Sequence, residues 1–183
     1  LIEKCTFIVD LGANIGTHSI SYGNHNKKCT IYAFEPQKQL YDILSLNVKE
    51  NNLEGIVIPI NKAVGHEKGR LKLEKVPEDT PFNKGGVGFN DNGEEVEVIT
   101  LDSLDLEGCD FIKMDIQGAE PLAIMGGEKT IKKFKPKILF EYDGSYINPS
   151  HVNLEKMPDT KQLLESYGYT LKSIDGVNYL AIP

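Results

Sequence analysis

The sequence has no excess of positive charge. Its 20 Lys and Arg residues stand against 27 Asp and Glu, a formal net charge of −7. An acidic chain without a basic stripe argues against binding along the phosphate backbone of nucleic acid. The densest lysine run, "KTIKKFKPK" (129–137), reads as the solvated end of a helix. Cysteine is also scarce. Cys5, Cys29 and Cys109 each stand at or near the start of an apolar run, and no C-x-x-C pair is present. That spacing offers neither a metal nor a redox motif, so reduced, half-buried core thiols and a reducing, cytoplasmic compartment are expected. No apolar stretch approaches the roughly 18–20 residues that span a bilayer, and no signal-peptide pattern is present, so no membrane partner is expected. The chain opens on Leu1 rather than Met, and a trimmed upstream segment is expected. With 183 residues it is long enough for one domain with a real core and too short for two. Residues 1–183 are therefore expected to form a single domain.

What is present alternates. "KCTFIVD" (4–10), "CTIYAFEP" (29–36), "GIVIPINKAVG" (55–65), "DFIKMDIQGAE" (110–120) and "PKILFEYDG" (136–144) are apolar, β-branched runs ended by turn residues, and they read as strands. Between them, 15–24, 37–52 and 119–134 read as helices. The helix 37–52 is the clearest, with Leu40, Leu44 and Val48 every fourth residue and Ile43 expected on the same face. Gly126–Gly127 is expected to interrupt or end the helix 119–134. "GRLKLEKV" (69–76) alternates as a one-sided strand. In 94–104 a strand runs into a helix expected to start at Asp102 or Ser103. The helix 158–168, with Pro158 at its first turn and Gly168 at its exit, leads to "YTLKS" and "NYLAI", which pair across "IDGV". Strand and helix in alternation predict an α/β fold with a doubly wound, mostly parallel sheet of seven strands, covered on both faces and closed by an antiparallel C-terminal hairpin. The long stretch 77–93 lacks periodicity. Its glycines, with Phe82 and Phe89, suggest a substrate lid, and an exposed insertion is the competing reading.

In such a sheet, ligands bind beyond the carboxyl ends of the strands. The loop after the first strand is "DLGANIG" (10–16), with Gly12 and Gly16 where backbone comes close to a ligand. Where a dinucleotide fingerprint has its middle glycine, this chain has Asn14. A pyrophosphate wants bare backbone at a helix N-terminus. S-adenosylmethionine carries no phosphate, and its amino-acid end and sulfonium need carboxylate and carbonyl acceptors as well as amides, which suits D-x-G-x-N-x-G better. Glu35, nineteen residues after Gly16, is placed to take both ribose hydroxyls. That distance fits NAD equally well. Polar "NKA" (61–63) ends the third strand.

In order along the chain, "VDLGANIGTHS", "YAFEPQ", "NKAVG", "TLDSL", "FIKMDIQGAE" and "PKILFEYD" resemble the blocks of the FkbM-type methyltransferases, a family of the Rossmann-like class I S-adenosylmethionine-dependent fold. The resemblance covers about Phe7 to Asp143. It implies methyl transfer from S-adenosylmethionine, with S-adenosylhomocysteine as product, to an oxygen of a sugar, glycan or small natural product. By position it implies that Asp10, Gly12, Asn14 and Gly16 hold the methionine moiety, Glu35 the ribose, and Asn61 and Ala63 the adenine. Asp115 is implied beside the sulfonium and the acceptor. Thr17, His18, Pro36 and Lys62 complete the expected cofactor-binding set. Gln117 departs from the family's usual acid, and an amide cannot serve as a base.

An alcohol acceptor must lose a proton, and a positioned carboxylate can take it. Asp115 is the first choice, Glu141 the second, with Glu120 and Asp143 as further candidates. Glu120 also favours the start of a helix through the macrodipole alone. His18 is expected to pack on the cofactor side, while His25, His66 and His151 are expected in loops, without ligand spacing. No metal site is expected, although carboxylates from neighbouring strand ends leave a divalent ion open. Two other readings stay open: an NAD-linked oxidoreductase, and a cofactor-binding module without catalysis.

Overall fold

A computed structural model describes residues 2–73, 93–142 and 157–183. The elements run β1 (Phe7–Leu11), α1 (Thr17–His25), β2 (Thr30–Phe34), α2 (Lys38–Glu50), β3 (Val57–Ile60), β4 (Ala63–Val64), β5 (Gly69–Leu73) and β6 (Glu94–Ile99). A 3-10 turn (Leu101–Leu104) follows, then β7 (Phe111–Met114), α3 (Glu120–Met125), α4 (Glu128–Phe134), β8 (Lys137–Glu141), α5 (Thr160–Ser166), β9 (Thr170–Ser173) and β10 (Asn178–Ile182). Seven strands form one sheet in the order β3-β2-β1-β7-β8-β10-β9. The first five are parallel, and β10 runs antiparallel to both β8 and β9. This is the expected doubly wound sheet with its closing hairpin. β4, β6 and β5 form a separate three-stranded sheet. The lid expected at 77–93 lies outside the described residues except for Gly93, and Asp143 and His151 lie outside them too.

Both faces of the large sheet are buried, as a parallel sheet requires. Ile8, Ile31 and Phe111 pack on one side with Leu44 and Val48 of α2. Val9, Ile112, Ile138 and Phe140 pack on the other with Ile124, Ile131 and Leu164 of α3, α4 and α5. Leu40, Leu44 and Val48 form the buried stripe of α2, each contributing about 2 kcal/mol by leaving water. Ile43 does not share it and is 40% exposed. Three residues on from Leu40 it is rotated to the flank of the stripe. The three cysteines are free and buried, more deeply than expected. Burial pushes all three thiols up, Cys109 to about 12.

Two helix boundaries differ from expectation. The helix after β6 is a single 3-10 turn capped by Thr100, whose side chain accepts from the Ser103 N–H. Asp102 instead accepts from the N–H groups of Lys129 and Thr130 at the start of α4. Its carboxylate therefore caps a different helix across the turn. Pro158 precedes the α5 N-cap, Asp159, which accepts from Lys161 and Gln162. The break at Gly126–Gly127 separates α3 from α4 as expected. A Cβ on Gly126 would lie 1.9 Å from the Gly65 carbonyl oxygen, so only glycine leaves room there for the chain before β5.

Candidate cofactor and acceptor site

The carboxyl ends of β1, β2 and β7 open onto one cavity of about 230 Å³. Its near wall is Gly12, then Phe34 at the end of β2 with Glu35 and Pro36 beyond it, and Asp115, Ile116 and Gln117 beyond β7. Its far wall is the small sheet, through Ala63, Val64, Leu71 and Val98. The "NKA" stretch therefore works as a strand start: Ala63 and Val64 pair with Val98 and Ile99, which fixes an apolar surface facing Glu35.

The glycine loop is shaped from three directions. Gly12 has φ 75°, and a Cβ there would lie 2.0 Å from the Asp115 carbonyl oxygen. Gly16 has φ 95°, and a Cβ would meet Leu44 Cδ1 at 2.6 Å. The left-handed turn favours the glycine before α1, and a side chain there would also push on the tip of Leu44. Asn14 has φ 54°, a left-handed backbone that Asn tolerates better than most residues. Its Oδ1 accepts from the Ile15 N–H.

All five backbone N–H groups of this loop donate within the protein. Gly12 and Ala13 donate to the Phe34 carbonyl and Gly16 to that of Ala13. Asn14 donates to Glu35 Oε2 at 2.9 Å, and Ile15 to Asn14. Residues 12–16 therefore offer no bare amide to a pyrophosphate.

Glu35 is 4% exposed. Its Oε1 accepts from the Gln37 N–H and its Oε2 from Asn14. Burial raises its carboxyl above the usual range, while these two amides and nearby Lys113 pull the other way. Each carboxylate oxygen keeps a further lone pair for a ligand hydroxyl.

Asp10 lies beneath the cavity rather than on its wall. It is fully buried, accepts from Ser19 Oγ at 2.6 Å, and its Oδ1 stands 3.2 Å from Lys113 Nζ. Lys113 was not anticipated. A lysine inside the apolar run "FIKM" was the available signal, because a lysine is almost never buried without a partner.

Asp115 is 44% exposed at its side chain and lines the cavity. Gln117 Nε2 donates to its Oδ1 at 3.0 Å. Gln117 itself sits at φ 56°. Glu120 turns inward, 3% exposed, and its Oε1 accepts from the Ile116 N–H. Burial raises its carboxyl, the Ile116 amide opposing. The Glu120 carboxylate thus closes the turn that carries Asp115 and Gln117, and does not reach the cavity wall. Glu141, half-buried at the end of β8, is also absent from that wall.

Asn61 donates to the carbonyls of Glu35 and Pro36, at 2.9 Å each, so its amide braces the β2 exit from behind. Lys62 and His66 line the cavity, and Lys62 also pairs with Glu97 at 2.7 Å. Thr17 and His18 are exposed in the first turn of α1, with the His18 ring 5.9 Å from that of Tyr22. His25 ends α1 instead of standing in a loop. The structure thus brings Gly12, Glu35, Pro36, Lys62, Ala63 and Asp115 to one cavity. Asp10, Asn14, Gly16 and Asn61 stand behind its wall as supports. Among the described residues, no group of three or more His, Cys, Asp or Glu is arranged to hold a metal ion, and no helix is long and apolar enough to cross a membrane.

Residues 10–171 match the family model described as the Methyltransferase FkbM domain. A curated relative, methyltransferase sdnD of Sordaria araneosa, is 37% identical over 71 residues, which are 39% of this chain and 27% of that protein. Among solved structures, the chain is similar to methyltransferase FkbM from Methylobacillus flagellatus, with TM-score 0.65 and 20% identity over 98% of this chain and 44% of that one. It is also similar to Aeropyrum pernix fibrillarin in complex with natively bound S-adenosyl-L-methionine, with TM-score 0.57 and 14% identity over 98% of this chain and 66% of that one. The chain spans about a quarter of the curated relative and less than half of the first of these structures. The structural likeness shows the fold, that of the Rossmann-like class I methyltransferases.

Proposed function

The chain belongs to the FkbM methyltransferase family, and from that premise we propose that it methylates an oxygen of a sugar, glycan or small natural product at the expense of S-adenosylmethionine. The observation that carries this reading is Glu35, a buried carboxylate on the cavity wall, fixed by the amide of the glycine loop in front of it. A carboxylate held this way accepts hydrogen bonds from a ribose diol and repels a 2′-phosphate.

The residues present suit S-adenosylmethionine better than a dinucleotide. The loop amides at 12–16 are already committed, so a pyrophosphate is left only the N-terminal amides of α1, where an NAD-linked oxidoreductase uses the glycine loop and that helix end together. Gly12 leaves room on the near wall. Ala63 and Val64 offer the apolar surface that would flank the adenine, with Pro36 and Lys62 at its rim. Thr17 and His18, in the first turn of α1, stand on the side proposed for the methionine end. When bound, S-adenosylmethionine supplies an activated methyl group and is released as S-adenosylhomocysteine.

This chain's own contribution is to orient the acceptor and receive its proton. Most of the rate advantage in such a displacement comes from holding the reacting atoms about 3–3.5 Å apart and in line. Asp115, half-exposed on the wall and oriented by the Gln117 amide, is the group we assign to the acceptor hydroxyl. Its carboxylate accepts the hydrogen bond and then the proton. Gln117 has no basic atom and acts as the donor that fixes Asp115. Glu120 and Glu141 have no place in this step: one closes the turn behind Asp115, and the other lies off the cavity wall. Residues 1–183 are proposed to act as one catalytic domain, without a metal requirement.

The experiment is release of S-adenosylhomocysteine in a panel of hydroxylated acceptors, with and without a chelator. Product formed with at least one hydroxyl acceptor, unaffected by chelation, is the expected result. Cofactor bound without product across the panel would favour a non-catalytic module.

A further inference from the structure

Lys113 lies in the middle of β7 between Ile112 and Met114, both nearly inaccessible. It is itself 5% exposed. Its Nζ stands 3.2 Å from Asp10 Oδ1 and 3.9 Å from Asp115 Oδ2. Its hydrogen bond goes to neither carboxylate. It is donated to the Gly12 carbonyl oxygen at 2.8 Å, while Asp10 Oδ1 makes no hydrogen bond. A lysine ammonium carries three donors, so the same group makes the ion pair with Asp10 and the hydrogen bond to the Gly12 carbonyl, and charge balance alone does not account for the second. Gly12 is also the point where the loop touches the β7 exit: the place a Cβ would occupy is filled by the Asp115 carbonyl oxygen. One buried side chain therefore reaches the strand, the loop and the acceptor-side carboxylate together.

We infer that Lys113 is a positioning residue of the cofactor site: by holding the Gly12 carbonyl, it fixes the glycine loop against the β7 exit that carries Asp115. The inference rests on the reading that this cavity takes S-adenosylmethionine. It assigns Lys113 no contact with cofactor or acceptor.

The test separates positioning from simple charge balance. Lys113→Met alone leaves Asp10 buried without its cation and is expected to destabilise the fold. The pair Asp10→Asn with Lys113→Met removes both charges, and Asp10→Asn alone keeps the Lys113–Gly12 hydrogen bond. S-adenosylhomocysteine affinity by calorimetry, urea midpoint, and hydrogen exchange of the 12–16 amides without ligand are measured for each. The double variant is expected to recover the wild-type urea midpoint, yet to bind about tenfold or more weakly and to exchange those amides about tenfold faster. Asp10→Asn alone leaves Lys113 buried without its nearer carboxylate and is expected to lower the urea midpoint, but with the Lys113–Gly12 hydrogen bond kept it is expected to lose less affinity and less exchange protection than the double variant. The inference is overturned if affinity and slow exchange return together with stability, or if Asp10→Asn alone loses as much as the double variant. Should wild-type protein fail to bind S-adenosylhomocysteine, the functional reading falls. The exchange rates then decide the role of Lys113 by themselves.

Discussion

The Asn14 backbone N–H donates to Glu35 Oε2 at 2.9 Å, joining the loop after β1 to the end of β2. The residue that breaks a dinucleotide fingerprint and the acid proposed to take the ribose are thus hydrogen-bonded to each other. Replacing Glu35 removes a ligand contact and a loop anchor together. Glu35→Ala is expected to weaken S-adenosylhomocysteine binding about 10- to 100-fold, the cost of charge-assisted hydrogen bonds. Calorimetry checks this, and wild-type affinity in Glu35→Ala would move the site elsewhere.

Glu35 also predicts a pH dependence. Burial raises its carboxyl above the ordinary 4.5 when folded. Between the ordinary and the raised value the folded chain holds a proton that the unfolded chain has lost. The unfolded state then binds fewer protons, so stability falls as pH rises through this window. The cost is complete above the raised value and is relieved as pH drops. Glu35→Gln is expected to flatten this part of the stability profile, measured by urea unfolding from pH 4 upward. An unchanged slope would show that the Glu35 carboxyl is not shifted.

Gly12→Ala tests the contact between the glycine loop and the β7 exit. The new Cβ would lie 2.0 Å from a backbone oxygen, at a φ of 75°. Backbone cannot rotate aside as a side chain can, so a loss of about 2–3 kcal/mol is expected, toward the upper range for overpacked sites. Urea unfolding measures it. A loss below about 0.5 kcal/mol, the range of neutral surface changes, would mean that the loop does not pack on Asp115.

Asp115→Asn is expected to lower kcat about 10²- to 10⁴-fold, as loss of a proton acceptor does, with cofactor affinity changed much less. Gln117→Glu should also slow turnover. It exchanges the 3.0 Å hydrogen bond to Asp115 for two carboxylates at the same distance. Steady-state kinetics against any acceptor found in the panel decides both. Faster turnover in Gln117→Glu would restore the family's acid to the mechanism in place of Asp115.

The mostly parallel sheet was legible, though not its strand order, because β1, β2, β7 and β8 are short apolar runs between turn signals that alternate with helical patterns, as in a sheet covered on both faces. Glu35 and Gly12 were legible because strand ends and glycine turns declare themselves locally. The supporting groups were not. Asp10 and Asn61 were expected to touch ligand, yet their side chains face Ser19 and the backbone of residues 35–36. A polar residue at a strand end looks the same in sequence whether it points to a cavity or braces one. Glu120 misled in the same way, since its partner is an amide four residues earlier. β4 and the small sheet depend on pairing Ala63 with Val98, a contact across thirty-five positions that no local period reveals.

The most direct test of the account is thermal stabilisation of this chain by S-adenosylmethionine, S-adenosylhomocysteine, NAD and NADP, each at matched concentration. The account predicts a rise in Tm with the first two and none with NAD or NADP, since the committed amides at 12–16 leave a pyrophosphate fewer donors and Glu35 repels a 2′-phosphate. Stabilisation by NAD without any by S-adenosylmethionine or S-adenosylhomocysteine would contradict it.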